Sequence, residues 1–195
     1  MPRKASVRRK TTETDVAVAL ELDGQGRYKI QTGLPFFDHM LAQLARHGLF
    51  NLTLRAKGDL DVDAHHTMED VGLALGEAFA KALGDRVGTR RYGQATVPMD
   101  DALSWVAVDL SGRPYLVYQA DRLVGKIGEF DAGLLKEFFR AFATALKANL
   151  HIGVPYGENT HHMAEAIFKA AGRALDEATT LDKRVRWIPS TKGKL

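Results

Sequence analysis

Two runs in the chain combine residue types that hold divalent metals: His65-His66-Thr67-Met68-Glu69 and His161-His162-Met163-Ala164-Glu165. Imidazole and carboxylate are nitrogen and oxygen donors for such ions. On a helix, residues four apart share a face, so His65 with Glu69, and His161 with Glu165, can address one ion. The neighbouring His66 and His162 point about 100° away. Each doublet therefore suits two metals, or one metal here and another in a neighbouring subunit. His39 offers a further nitrogen donor, and gapless alignment of the two halves of the chain sets Glu137 opposite it as an oxygen donor for the second centre. The expected metal set is His39, His65, His66, Glu69, Glu137, His161, His162 and Glu165. Mixed nitrogen and oxygen ligation without sulfur suits six-coordinate manganese, with zinc, iron and cobalt also compatible. One such run could be an accident, but two in equivalent places argue against it. The spacing is not that of the His-Glu-x-x-His zinc proteases. His151 aligns with Thr53 inside a strand and is expected to be structural. His47, which precedes Gly48 and follows Gln43 by four residues, is either a helix-end cation or a substrate contact.

The elements that must carry these residues repeat. Val18-Ala19-Leu20-Glu21-Leu22-Asp23-Gly24 returns as Val106-Ala107-Val108-Asp109-Leu110-Ser111-Gly112, and this register pairs Glu13 with Asp101 and Arg3 with Arg91. Further on, Asn51-Leu52 corresponds to Asn149-Leu150, and then the two doublets match. Alternating apolar residues predict strands at 16–22, 27–31 and 52–56, and again at 94–97, 103–110, 115–118 and 150–154. Helices are predicted at 35–46, with Pro35 in the first turn, and at 67–83, stopped by Gly84. Two more are predicted at 134–148 and 162–178. An additional strand is expected at or near the start of each half. The expected fold is α+β: duplicated β-β-β-α-β-α halves, residues 1–88 and 89–195, with mixed sheets and helices packed on one face. A linker near residues 84–89 joins them. The tail after Asp182 is expected to be a loop unless a ligand orders it.

Bulk properties limit the alternatives. The 195 residues are 45% hydrophobic and 26% charged, enough for an ordinary core. No apolar run approaches the roughly 20 residues of a membrane helix, and Met1-Pro2-Arg3-Lys4-Ala5 is not followed by a signal-like apolar stretch. There is no cysteine, which removes disulfides and thiolate metal sites. A cytoplasmic protein is expected. The net charge of +3 is compatible with an acidic metabolite, with nucleic acid or with no partner. The basic clusters are not interleaved with aromatics as in single-strand binders, so neither nucleic acid nor membrane is an expected partner.

The segments Arg9 to Thr14, Gly33 to Met40, Asp63 to Asp70, Pro98 to Ala102, Asn159 to His162 with Glu165 to Lys169, and Ser190 to Gly193 resemble the imidazoleglycerol-phosphate dehydratase family. The resemblance runs along nearly the whole chain; many relatives carry His where Glu137 stands. It implies two four-stranded sheets with helices, related to the ribosomal protein S5 domain 2-like fold. It also implies homo-oligomers, trimers built into a 24-subunit shell with active sites between subunits. The implied activity is a lyase reaction of histidine biosynthesis, dehydrating D-erythro-imidazoleglycerol 3-phosphate to imidazoleacetol phosphate with two Mn2+ per active site. A metal-held imidazolate and a diazafulvene-type intermediate are the expected route, with the metals as Lewis acids and template. Glu13 is then the first candidate for proton transfer, while Glu69 and Glu165, the other carboxylates of the catalytic set, mainly hold metal. Family positions assign phosphate contact to Arg91, Arg113, Ser190 and Lys192, with Lys169 in a matching position and Gln43 and His47 as helpers. Two other functions use some of the same residues. A dinuclear phosphoester hydrolase would release phosphate, and an RNA-binding protein would show salt-dependent affinity that survives chelation.

Overall fold

The computed structural model describes residues 3–195; Met1 and Pro2, the first residues of the polar N-terminal stretch, lie outside the described residues. The first half runs β1 (Lys4–Lys10), β2 (Thr14–Glu21), β3 (Tyr28–Gln31), α1 (Pro35–His47), β4 (Asn51–Gly58) and α2 (His65–Leu83). The second runs β5 (Tyr92–Met99), β6 (Ala102–Asp109), β7 (Tyr115–Gln119), a short hairpin of β8 (Lys126–Ile127) and β9 (Phe130–Asp131), α3 (Leu134–Leu146), β10 (Asn149–Tyr156) and α4 (Thr160–Thr179). The sheets have the same topology, β1-β2-β4-β3 and β5-β6-β10-β7. In each, the last strand joins its neighbour in parallel and the other pairings are antiparallel. The expected α+β architecture of two four-stranded sheets with helices is the one observed.

Alternation explains how each sheet meets its helices. In β2, Val16, Val18 and Leu20 are buried while Ala17 and Ala19 are exposed, the pattern of a sheet covered on one face. The helices lie between the sheets: α1 packs on α4 and α2 on α3. Phe37 meets Phe138 edge-on at 5.1 Å, and Phe79 meets Phe142 at 5.5 Å. All four rings are buried, each contributing about 1.5–3 kcal/mol through burial. The helix pairs approach closely at equivalent glycines. A Cβ on Gly76 would lie 2.5 Å from the Phe142 carbonyl oxygen, and one on Gly172 would lie 2.5 Å from that of Leu44.

The remaining differences from expectation are local. Helix α2 begins at His65 instead of Thr67, because the Asp63 carboxylate accepts the His65 N–H at 2.7 Å and starts the first turn. Helix α4 begins at Thr160, capped by Asn159. Helix α3 ends at Leu146, where Lys147 turns left-handed at φ 56°, so Ala148 lies outside it. The β8–β9 hairpin has no counterpart among the predicted strands, because two residues per strand are too few to display a period. The tail forms no long element but is tied to the linker: Asp182 N–H donates to the Gly88 carbonyl at 2.8 Å, and Gly88 N–H to that of Trp187 at 3.1 Å. No helix among the described residues is long and apolar enough to cross a membrane.

Candidate metal centre

Three ligand-type side chains converge where α1 crosses the start of α4. His39 Nε2 and His161 Nε2 each lie 3.2 Å from Glu165 Oε2, and the three donor atoms fall within 4.8 Å of one another. His161 and Glu165 share a face through their i,i+4 spacing. The Asn159 side chain accepts the N–H groups of His161, at 2.9 Å, and His162, at 3.4 Å, which winds the doublet into the first helical turn. Glu165 is buried, which pushes its carboxyl pKa up. Hydrogen bonds from Lys169, at 2.7 Å, and from His39 and His161 outweigh this and hold it at about 2. The group is therefore anionic at neutral pH. Two imidazole nitrogens and a carboxylate, with no sulfur, fit a divalent cation. Gln43 Nε2 stands beside them, 3.4 Å from His39 Nε2.

The second member of each doublet points elsewhere. The His65 and His66 rings are inclined at 87° with centroids 6.2 Å apart, and the His161 and His162 rings at 78° and 6.2 Å. His66 Nδ1 meets Asp59 Oδ2 at 3.0 Å and Glu13 Oε2 at 3.8 Å, and His162 Nδ1 meets Asp101 Oδ1 at 2.5 Å. The hydrogen bond that each imidazole donates to its aspartate raises the imidazole pKa, and the His162 bond holds the Asp101 carboxyl well below the usual range. His65, Glu69 and Glu137 do not converge as His39, His161 and Glu165 do: among the described residues one triad lies within 4.8 Å. Within the chain, Glu137 instead accepts a hydrogen bond from Arg140 Nη1 at 2.7 Å, and Glu69 is exposed.

Comparison with known proteins shows the family of the chain. A sequence model described as imidazoleglycerol-phosphate dehydratase (IGPD) matches residues 32–175. The chain is 57% identical over 195 residues to the IGPD of Geobacter sulfurreducens, covering all of both chains. It is 57% identical over 193 residues to that of Symbiobacterium thermophilum, covering 99% of this chain and 93% of that one. The chain belongs to the imidazoleglycerol-phosphate dehydratase family. The IGPD crystal structure from Pyrococcus furiosus superposes with a TM-score of 0.82 at 38% identity, covering 97% of this chain and 100% of that one. That from Staphylococcus aureus gives 0.80 at 38%, covering 92% and 99%. As a member of the IGPD family this chain is a lyase of histidine biosynthesis, a dehydratase acting on a small molecule, and the family is metal-dependent.

The residues expected to contact phosphate lie at another end of the subunit. Arg91 forks onto Asp109, with Nε–Oδ1 at 2.7 Å and Nη2–Oδ2 at 3.1 Å, while Nη1 donates to the Pro189 carbonyl at 2.8 Å. Ser190 lines the same depression, and Lys192 N–H donates to Ser190 Oγ at 3.2 Å. Arg113 is exposed and follows Gly112, whose Cα faces the C-terminal Leu195. Arg91 N–H bonds the Ala178 carbonyl, near the far end of α4 from Glu165. At 1.5 Å per residue that is ~20 Å along the helix. Lys169 belongs with the metal-type donors through Glu165, and His47, its pKa lowered by burial and by Lys169 and Arg173, lies between the two groups. Two residues without an assigned role, Asp59 and Asp101, turn out to touch the doublets. The pairing of Asp101 with Glu13 in the repeat was the available signal; for Asp59 the sequence offers none.

Proposed function

We propose that this chain dehydrates D-erythro-imidazoleglycerol 3-phosphate to imidazoleacetol phosphate at sites completed between subunits, with two Mn2+ ions per site. His39, His161 and Glu165 would hold one ion with help from a neighbouring subunit's donors. His65, His66, Glu69, Glu137 and His162 would supply the rest. When bound, the ions would supply Lewis acidity and a template for the imidazole. The chain's own residues handle position, protons and water. Glu13, on the bend before β2 and half exposed beside His66, takes the proton from the carbon adjacent to the one that loses its hydroxyl, and the proton and hydroxide leave together as water. The resulting enol relaxes to the ketone. Arg91, Arg113, Ser190 and Lys192 offer cationic and hydroxyl donors to the phosphate. Gln43 and His47 flank the ring, and Lys169 steadies Glu165. Closure of residues 183–195 over the phosphate would exclude water.

The observation that carries this reading is the convergence of His39, His161 and Glu165 at one end of α4, with the phosphate-type residues ~20 Å away at the other. A small phosphorylated imidazole cannot bridge that distance in one chain, so both ends are supplied only if subunits meet. This supports a homo-oligomer, with trimers arranged as a 24-subunit shell the assembly the family resemblance implies. A cytoplasmic setting accords with a cysteine-free biosynthetic enzyme. Incubation with the substrate tests the activity: an enolisable ketone should form with the phosphate retained. Release of inorganic phosphate in its place would favour a dinuclear hydrolase.

A further inference from the structure

The two halves give the second histidine of each doublet the same contact from different places. In the first half, the Nδ1 partner is Asp59, the residue that follows β4. In the second it is Asp101, in the bend between β5 and β6. The residue following β10, equivalent to Asp59, is Gly157. A Cβ there would fall 2.4 Å from Met163 Cγ and 3.0 Å from the Ala102 Cβ, and Met163 is buried against the core. No carboxylate fits at that position, so in the second half the hairpin bend supplies it. The bend of the first half carries Glu13, which stays 3.8 Å from His66 Nδ1 and is half exposed. Near His162 Nε2, the exposed Asp100 Oδ2 is 3.5 Å away, at the limit of a hydrogen bond.

We propose that Asp59 and Asp101 are the positioning residues of the doublets, each keeping the imidazole proton on Nδ1 so that Nε2 presents a lone pair to a metal. Giving this duty to Asp59 in the first half is what leaves Glu13 free to transfer protons. The inference rests on the reading of His66 and His162 as ligands. A carboxylate behind an imidazole fixes both its tautomer and its orientation.

The hydrogen bonds dictate an asymmetric test. Asp101 Oδ2 accepts the N–H groups of Glu158, at 2.6 Å, and Asn159, at 2.8 Å. In Asp101→Asn those two donors retain the amide oxygen, so the NH2 faces His162 Nδ1. The imidazole must then accept at Nδ1 and carry its proton on Nε2, the wrong tautomer for a ligand. Asp59 differs: its Oδ1 is buried without a hydrogen-bond partner. In Asp59→Asn the amide can turn its oxygen to His66 and keep the tautomer. The experiment titrates Mn2+ into metal-stripped assembled protein by calorimetry and assigns the histidine tautomers by 15N NMR without metal. Asp101→Asn should bind roughly 10–100-fold more weakly, with the His162 proton on Nε2. Asp59→Asn should change affinity by less than about threefold and Asp59→Ala by about tenfold or more. Glu13→Gln should bind as the parent does. Parent-like affinity in Asp101→Asn, a His162 proton still on Nδ1 in that variant, or a Glu13→Gln loss matching Asp59→Ala would each overturn the proposal. Failure of the parent itself to take up Mn2+ would overturn the metal reading beneath it, and the NMR tautomers separate these two failures.

Discussion

Glu13 and Asp101 occupy the same bend of two equivalent hairpins, yet only Asp101 is spent on a strong hydrogen bond to a histidine. A carboxylate tied to imidazole, and holding two backbone N–H groups besides, is a poor proton carrier. One that is half exposed is free to move. Glu13→Gln should therefore fold and assemble normally and retain metal while kcat falls about 10²–10⁴-fold. Turnover close to that of the parent, measured by ketone formation, would remove Glu13 from proton transfer. The bend is itself anchored. Thr11 Oγ accepts the Glu13 and Thr14 N–H groups, at 3.1 and 3.0 Å, Thr14 hydroxyl donates to buried Asp70, and Arg9 Nε donates to that carboxylate at 2.6 Å. These contacts fasten the hairpin to α2, one residue past Glu69. None of them has a periodic signature, which is why the doublets were legible in the sequence while the hydrogen bonds around them were not.

At the scale of elements, the site depends on how closely helices meet. Gly76 and Gly172 admit the backbone of α3 and of α1, so α4 can carry Glu165 to His39. Gly76→Val would drive a side chain into the Phe142 carbonyl and should cost about 1–3 kcal/mol, lowering the thermal midpoint by several degrees. An unchanged midpoint would show that the close approach carries no weight. The sequence displayed most of this level. Period-two alternation placed strands, Pro35, Gly84 and the repeated order of elements placed the four long helices, and the count of four strands per sheet came from the family resemblance. What it did not display were helix starts tied to single side chains, the Asp63 carboxylate that accepts the His65 N–H and the Asn159 cap, and the β8–β9 hairpin. Pseudo-symmetry sets Glu137 opposite His39, and within the chain Glu137 accepts a hydrogen bond from Arg140.

For the whole molecule, the separation of the metal-type donors from the Arg91 group is the governing fact. No residue pattern along a chain reports a ~20 Å distance in the fold, so sites shared between subunits were legible only as one option left open by the diverging doublets and as an implication of the family resemblance. The expectation is direct. His161→Ala and Arg91→Ala proteins, each impaired alone, should recover part of their activity when unfolded together and refolded as mixed oligomers. Mixed assemblies no better than either parent would place each complete site inside one subunit. The central claim, that paired imidazole doublets hold the cations on which catalysis depends, is tested most directly by stripping the assembled enzyme with a chelator and measuring ketone formation from imidazoleglycerol phosphate. Activity should disappear and return on adding Mn2+, but not on adding Mg2+, which prefers oxygen ligands; full turnover by rigorously metal-free protein would contradict the account.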